Sequence, residues 1–225
     1  LIPKPMMQHY ISLLLKHRRL ILSGPSGTGK SYLSIRLAEY LVQRSGREIN
    51  DGIIVTFNMD THSCKDLRLY LSNLANQIDR ETSTGNVPLI IILDDLSDAG
   101  PLSELVNGAL TCKYHKCPYI MGTTNQPVKT TPNHGLHLSF RLVPFSNNAE
   151  PANGFLNRYL QRKLIESEND ANANNSELLD VLNWVPKLWY HLHTFLDMHS
   201  TSDFLIGPCF FLSSPINVAE FREWF

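Results

Sequence analysis

Eight consecutive residues, Gly24, Pro25, Ser26, Gly27, Thr28, Gly29, Lys30 and Ser31, spell G-x-x-x-x-G-K-[ST] directly after the apolar run Leu20-Ile21-Leu22. Glycines at these places let successive backbone N–H groups turn inward around a phosphate, the lysine reaches the β- and γ-phosphates, and the serine hydroxyl can ligate Mg²⁺. A helix starting at Lys30 would add the positive end of its dipole to the same anion. The bland alternative is a Gly-rich turn between a strand and a helix.

A second constellation lies some sixty residues on, where Val87-Pro88-Leu89-Ile90-Ile91-Ile92-Leu93 runs into Asp94-Asp95. An apolar strand that delivers acids at its C-terminal edge is the second half of an ATP site. Asp94 would hold Mg²⁺ through water, and Asp95 would orient or deprotonate the attacking water. Read alone, the pair could equally open a turn before Ser97-Asp98. The third piece is Thr123-Thr124-Asn125 after Tyr119-Ile120-Met121-Gly122. By itself it is loop-like; after a strand, Asn125 could fix the attacking water near a γ-phosphate.

The elements that must position these residues are legible from periodicity. Met7, Tyr10, Ile11 and Leu14 recur at helical spacing ahead of strand one, and Leu33, Leu37, Ala38 and Leu41 continue the loop as a helix that stops near Gly46. Gly52 to Phe57 is β-branched and short, a second strand; Ser63-x-x-Asp66 caps a helix with the apolar face Leu67, Tyr70, Leu71, Leu74 and Ile78. Asp79 to Asn86 reads as a surface connection. The run ending at Leu93 is a strand buried on both faces. Gly100-Pro101 precedes a helix through Leu105, Val106 and Leu110, and Leu136, Leu138, Phe140 and Leu142 alternate as strand five. Strands alternating with helices imply a doubly wound α/β sandwich.

Beyond residue 148 the strand signals stop. Phe155, Leu156, Tyr159, Leu160 and Leu164 form a helical stripe, Ser167 to Asn175 is a polar connector, Leu178 to Leu182 starts a further helix, and Leu188 to Leu196 marks another beyond Pro186. The division expected is a nucleotide-binding core over 1–147 and a helical lid over 148–225.

Composition narrows the classes. The chain has 225 residues, a net charge of −1 and 43% apolar content, ordinary for a soluble protein and without the basic excess of a dedicated nucleic-acid binder. The dense basic cluster Lys16-His17-Arg18-Arg19 reads first as a solvated connection. Four cysteines make no disulfide framework, so an intracellular setting is expected. No apolar run spans a bilayer and no signal peptide is legible. Leu1 at the start and Trp224-Phe225 at the end read as the edges of a piece of something larger, with a lid that is incomplete at its C-terminus.

Loop, double acid and Thr-Asn closing successive core strands, then a helical segment, resemble the AAA+ P-loop ATPase module. On that resemblance Gly24 to Ser31 is the Walker A loop, Asp94 and Asp95 are the Walker B acids, and Asn125 is the first sensor. A parallel five-stranded sheet between helices is implied, with the sensor strand between the two Walker strands and a helical lid after it. ATP is the implied nucleotide and Mg²⁺ the implied metal, held by Ser31 and Asp94. The phrases ILSGPSGTGKSYL, YLSNLANQ, CKYHKCPYIMGTTNQ, TPNHGLHLSFR, EPANGFL and WVPKLWYHLHTFL are similar to the C-terminal AAA+ domain of the neuron navigators. That resemblance implies a cytoskeleton-associated protein acting in microtubule plus-end tracking, neurite outgrowth and cell migration, in the cytoplasm and in part the nucleus. It also implies a homo-oligomer, a hexamer by the family's habit, and a helicase activity described for some members.

Particular residues qualify these implications. Asp95 stands where many AAA+ enzymes carry Glu, one methylene longer, which points to slow turnover. Phe57-Asn58-Met59-Asp60 is not the aromatic-hydrophobic-Gly of a threading pore. Arg141 is the candidate finger toward a neighbouring subunit's ATP, or a residue that an alternating strand shows to solvent. Lys187, beside Pro186 at a lid-helix start, is the candidate second sensor. Cys112 to Cys117 offers three soft ligands where a structural zinc site wants four, and His191 and His193 face apart on a helix. Trp184, Trp189 and Tyr190 read as lid core before a base-stacking platform. Three functions follow: a weak or regulated ATPase, a nucleic-acid-dependent motor, or a non-hydrolysing oligomerisation module.

Overall fold

The structure is a computed structural model and describes residues 2–79, 87–97, 100–110, 117–125, 140–145, 154–167, 176–199 and 206–225. By their internal contacts the residues fall into two compact units, one of Lys4–Gly24 and Lys30–Phe145, the other of Leu1–Pro3, Pro25–Gly29 and Ser146–Phe225.

The first unit is built on five parallel strands: β1 (Arg19–Ser23), β2 (Ile54–Asn58), β3 (Ile90–Asp94), β4 (Tyr119–Thr124) and β5 (Arg141–Pro144), in the order β2-β3-β4-β1-β5. All of β1 and the first four residues of β3 are buried, which is why both read as unbroken apolar runs. The sensor strand β4 does lie between β1 and β3, as the AAA+ resemblance implies.

Around the sheet run α1 (Lys4–His17), α2 (Lys30–Ser45), α3 (Cys64–Asp79) and α4 (Gly100–Ala109). Helix α2 buries Leu33, Leu37, Ala38, Leu41 and Val42 along one face, then stops where Gly46 turns to φ +66°. Helix α3 starts in a reciprocal cap. The Asp66 amide donates to Ser63 Oγ at 3.2 Å, while the Ser63 amide donates to Asp66 Oδ2 at 3.1 Å. Its face of Leu67, Leu71, Leu74 and Ile78 joins Ile91, Leu93 and Ile120 of the sheet and Leu102, Leu105 and Val106 of α4 in one core.

The second unit contains α5 (Phe155–Glu166), α6 (Ser176–His199), a 3₁₀ turn at Pro208–Ser213 and α7 (Val218–Trp224). Leu156, Leu160, Leu178, Leu182, Val185, Trp189, Phe211 and Phe221 form its core. Side chains fasten the 3₁₀ turn: Trp189 Nε1 donates to the Ile206 carbonyl at 2.7 Å, Tyr159 to Leu212 at 3.1 Å and Lys163 to Ser214 at 2.8 Å. Also within this unit, Gly207 meets the loop backbone closely. A Cβ added there would lie 2.5 Å from Gly27 Cα and from the Ser26 carbonyl oxygen, and Cys209 Sγ donates to the Gly27 carbonyl at 2.9 Å.

Four expectations need correction. No helix break occurs at Pro186, because α6 runs through it for 24 residues. Proline leaves the Leu182 carbonyl without its usual donor and costs about 3 kcal/mol in a helix interior. Burial of Leu178, Leu182, Val185 and Trp189 on the same helix, at about 1.5–3 kcal/mol for a large aliphatic side chain, exceeds that. Strand five begins at Arg141, while Leu136 and Leu138 lie outside the described residues, as do residues 80–86 of the expected surface connection. Nor is the basic cluster wholly a solvated connection: Arg18 lies 4.1 Å from the Tyr119 ring centroid, and buried Arg19 donates to Asn107 Oδ1 at 3.0 Å. Finally, of the three lid aromatics only Trp189 is core, whereas Trp184 and Tyr190 are 42% and 43% exposed.

Two glycines test this packing in opposite directions. A methyl at Gly122 would sit 2.7 Å from Leu96 Cδ1, whereas one at Gly108, in α4, would meet nothing within 4 Å. Gly122→Ala is expected to lower stability by about 1–3 kcal/mol, and Gly108→Ala to raise it by up to about 1 kcal/mol. Urea unfolding of the two variants against wild type measures both.

Candidate functional site

The parallel sheet brings the C-terminal ends of β1, β4 and β3 side by side. Register pairs Ser23 with Thr124 and Leu93 with Gly122, so the phosphate loop leaves β1 beside the Thr-Asn of β4 and the acids of β3. The Gly24 amide donates to the Thr124 carbonyl at 3.2 Å, and a Cβ at Gly24 would press to 3.0 Å on the Phe145 carbonyl oxygen. Glycine is needed there for approach rather than for φ. Within the loop, Gly27 and Gly29 adopt φ of +69° and +96°, the left-handed region that glycine tolerates. Buried Thr28 donates from Oγ1 to the Pro25 carbonyl at 2.9 Å. Helix α2 then begins at Lys30 itself.

Four predicted side chains meet around the acids in the sheet unit. Ser31 Oγ donates to Asp94 Oδ1 at 2.8 Å. A serine hydroxyl has one proton and two lone pairs, so its oxygen can still ligate a metal while the proton points at the carboxylate. Asn125 Nδ2 donates to Asp95 Oδ1 at 3.3 Å, tying the side-chain amide that follows β4 to the second acid. Asp95 is exposed and its backbone is left-handed, φ +60°, a costly conformation for a residue with a Cβ. Such a residue persists where its surroundings hold it, and here the Asp95 amide donates to Thr123 Oγ1 at 3.0 Å.

Lys30 supplies the positive charge. Its ammonium donates to the Gly24 carbonyl at 2.8 Å, and the residue as a whole is 6% exposed. Burial lowers its pKa from 10.5 to about 8, against the smaller raising effects of Asp95 and then Asp94. A cation held out of water beside hard oxygen donors gains most from a polyanion entering with a divalent metal. The donor pair of Ser31 and Asp94 fits Mg²⁺, which binds through one or two carboxylates and keeps several waters.

Arg141 and Lys187 belong to other elements. Arg141 is the first residue of the edge strand β5, exposed and paired with Leu20, three residues or roughly 10 Å before the strand end where the loop begins. Lys187 is exposed in the middle of α6, not at a helix start, because Pro186 does not end the helix. Of the Cys112–Cys117 run only buried Cys117 is described, and among the described residues no group of three His, Cys, Asp or Glu is placed to hold a metal. Residue-by-residue reading missed the side chain of Thr123. It lies under both acids, and the available signal was a pair of threonines closing an otherwise apolar buried strand.

Comparison with known proteins bears on the whole chain. Residues 165–225 match a family described as the NAV1-like AAA+ ATPase lid domain. Neuron navigator 1 of Mus musculus is 80% identical over 225 residues, covering 100% of this chain and 12% of that protein. Protein sickie of Drosophila melanogaster is 45% identical over 226 residues, covering 100% and 10%. The chain thus spans about a tenth of the length of the curated relatives it matches. Among solved structures, C. elegans PCH-2 aligns with 84% of this chain and 59% of that one, at 15% identity and a TM-score of 0.47.

The lowered Lys30 pKa has a measurable effect on stability. Its charged form is the penalised one, so the cost is full below about pH 8 and is shed as pH rises toward 10.5. The difference in Tm between Lys30→Met and wild type, both without nucleotide, is therefore expected to favour the variant most at pH 7. It should shrink by a few degrees, on the order expected for a chain of this size, by pH 10. Loss of the bond to Gly24 is the same at both pH values and cancels; thermal melts at the two pH values read the remainder.

Proposed function

Since this chain is an AAA+ domain of the neuron navigator family, with an α/β core and a helical lid, we propose that it binds ATP with Mg²⁺ and hydrolyses it at a low, regulated rate. The observation that carries this reading is the Ser31–Asp94 hydrogen bond of 2.8 Å, which joins the phosphate loop to the acid strand beside buried Lys30. Backbone N–H groups between Ser26 and Ser31 would cradle the phosphates, and the Lys30 ammonium would neutralise the β- and γ-oxygens. Ser31 and Asp94 would hold Mg²⁺, which supplies charge neutralisation at the phosphates when bound. Asp95 takes the proton of the attacking water, and Asn125 orients the Asp95 carboxylate.

Slow turnover is favoured by Asp95 itself. Its carboxylate is one methylene shorter than glutamate and is already engaged by Asn125 at 3.3 Å. The same observation favours a second reading, a module that binds nucleotide to assemble and does not hydrolyse it. Arg141, exposed on the edge strand β5, is the residue this chain offers to a neighbouring copy's nucleotide. A motor on nucleic acid is disfavoured, because Arg18 and Arg19 of the basic cluster are engaged within the fold. In the longer protein the domain's nucleotide state would regulate a cytoskeletal assembly in microtubule organisation, neurite outgrowth and cell migration, a role that rests on the family resemblance.

ATP hydrolysis and assembly state measured together, with and without microtubules or DNA, separate these readings. Lys30→Ala is expected to lose nucleotide binding. Asp95→Ala should keep binding and lose hydrolysis by about 10²–10⁴-fold, the usual contribution of a general base. Wild type that neither binds nor turns over Mg-ATP would overturn the ATPase reading. Binding with nucleotide-dependent assembly but no single-turnover hydrolysis would establish the second. Turnover stimulated by DNA at low salt, where phosphate contacts are strongest, would establish the motor.

A further inference from the structure

We propose that Thr123 is the positioning residue that sets both acids at once. The inference rests on the ATP site described above and deepens it. A threonine hydroxyl has one proton and two lone pairs, and here each is engaged with a different acid. The proton goes to Asp94 Oδ1, and the oxygen accepts the Asp95 amide at 3.0 Å. Thr123 itself is 2% exposed, so its hydroxyl is shielded from water on its own side of both bonds.

The backbone of the same residue completes the clamp. The Leu96 amide donates to the Thr123 carbonyl at 2.8 Å, and the Thr124 hydroxyl donates to the Leu96 carbonyl at 2.8 Å. Asp95 is thereby held in its left-handed turn by strand β4 on both sides of the peptide. Asp94 Oδ1 has two donors, Ser31 and Thr123, and they are not equivalent. Ser31 is exposed, on the helix that carries Lys30, and its oxygen is the one that would hold Mg²⁺. Thr123 belongs to the rigid sheet and has no role toward nucleotide. It therefore fixes the carboxylate plane of Asp94 whatever Ser31 is doing, and it keeps the distance from that carboxylate to the Asp95 turn constant. Removing the hydroxyl frees Asp94 to rotate and leaves the Asp95 amide without this acceptor.

The test uses the full 225-residue chain, a fluorescent ATP analogue, and titration of Mg²⁺ alongside binding in EDTA. Thr123→Val keeps the shape and loses the hydroxyl. It is expected to raise the Mg²⁺ concentration for half-maximal nucleotide binding, and to slow single-turnover hydrolysis, by about 10–100-fold, the usual cost of losing a partner behind a metal ligand. Affinity in EDTA should stay within about twofold, since the Lys30 loop is untouched, and Thr123→Ser should restore the Mg²⁺ dependence, because it returns the same donor and acceptor. If Thr123→Val does not fold, Thr123→Cys, of similar size but a weak donor, carries the comparison. A wild-type Mg²⁺ dependence in Thr123→Val overturns the role of Thr123 and leaves the ATP site standing. Equal losses with and without Mg²⁺, or failure of Thr123→Ser to restore, also overturn it as a merely structural effect. Wild type that binds no analogue overturns the site reading itself, and this one with it.

Discussion

Parallel pairing of β3, β4 and β1 is the constraint on which the chemistry of this domain depends. A parallel sheet sends all its strands out at the same edge, so three segments distant in sequence end within a few ångströms of one another. Register does the rest: with Ser23 opposite Thr124 and Leu93 opposite Gly122, a slip of one residue would turn the acids and the threonine to opposite faces. Gly122 belongs to this constraint. Its missing side chain makes room for Leu96, which anchors the turn carrying Asp95.

Function and stability pull against each other at this edge. Lys30 is held with its charge largely out of water and Asp95 in a left-handed turn. The burial of the Lys30 charge and the left-handed Asp95 are each unfavourable by themselves, and the proposed polyanion would offset the first. Strand β1, the first four residues of β3 and the apolar face of α3, all buried, supply the stability that tolerates them.

Much of this was legible in the chain because the signals were local. The phosphate loop is one contiguous motif, the strand before the acids is a single apolar run, and Ser63-x-x-Asp66 declares its own cap. What could not be read depends on partners far away in sequence. Pro186 looked like a helix end because local rules say so, and only the apolar face of α6 shows why the helix continues; the same error put Lys187 at a helix start. Arg18 and Arg19 looked solvated because neither Tyr119 nor Asn107 is near them in sequence. Thr123 was visible as a residue type, but its two bonds arise only when β4 is inserted beside β3.

Sequence order and spatial membership part company at the phosphate loop. Both ends of the loop continue into β1 and α2, yet residues 25–29 group by contact with the unit that contains Gly207, whose backbone rests on Gly27. The division by contact therefore does not follow a single cut along the chain. A fragment ending at Phe145 would keep every motif residue of the phosphate loop and lose the glycine against which its middle is moulded.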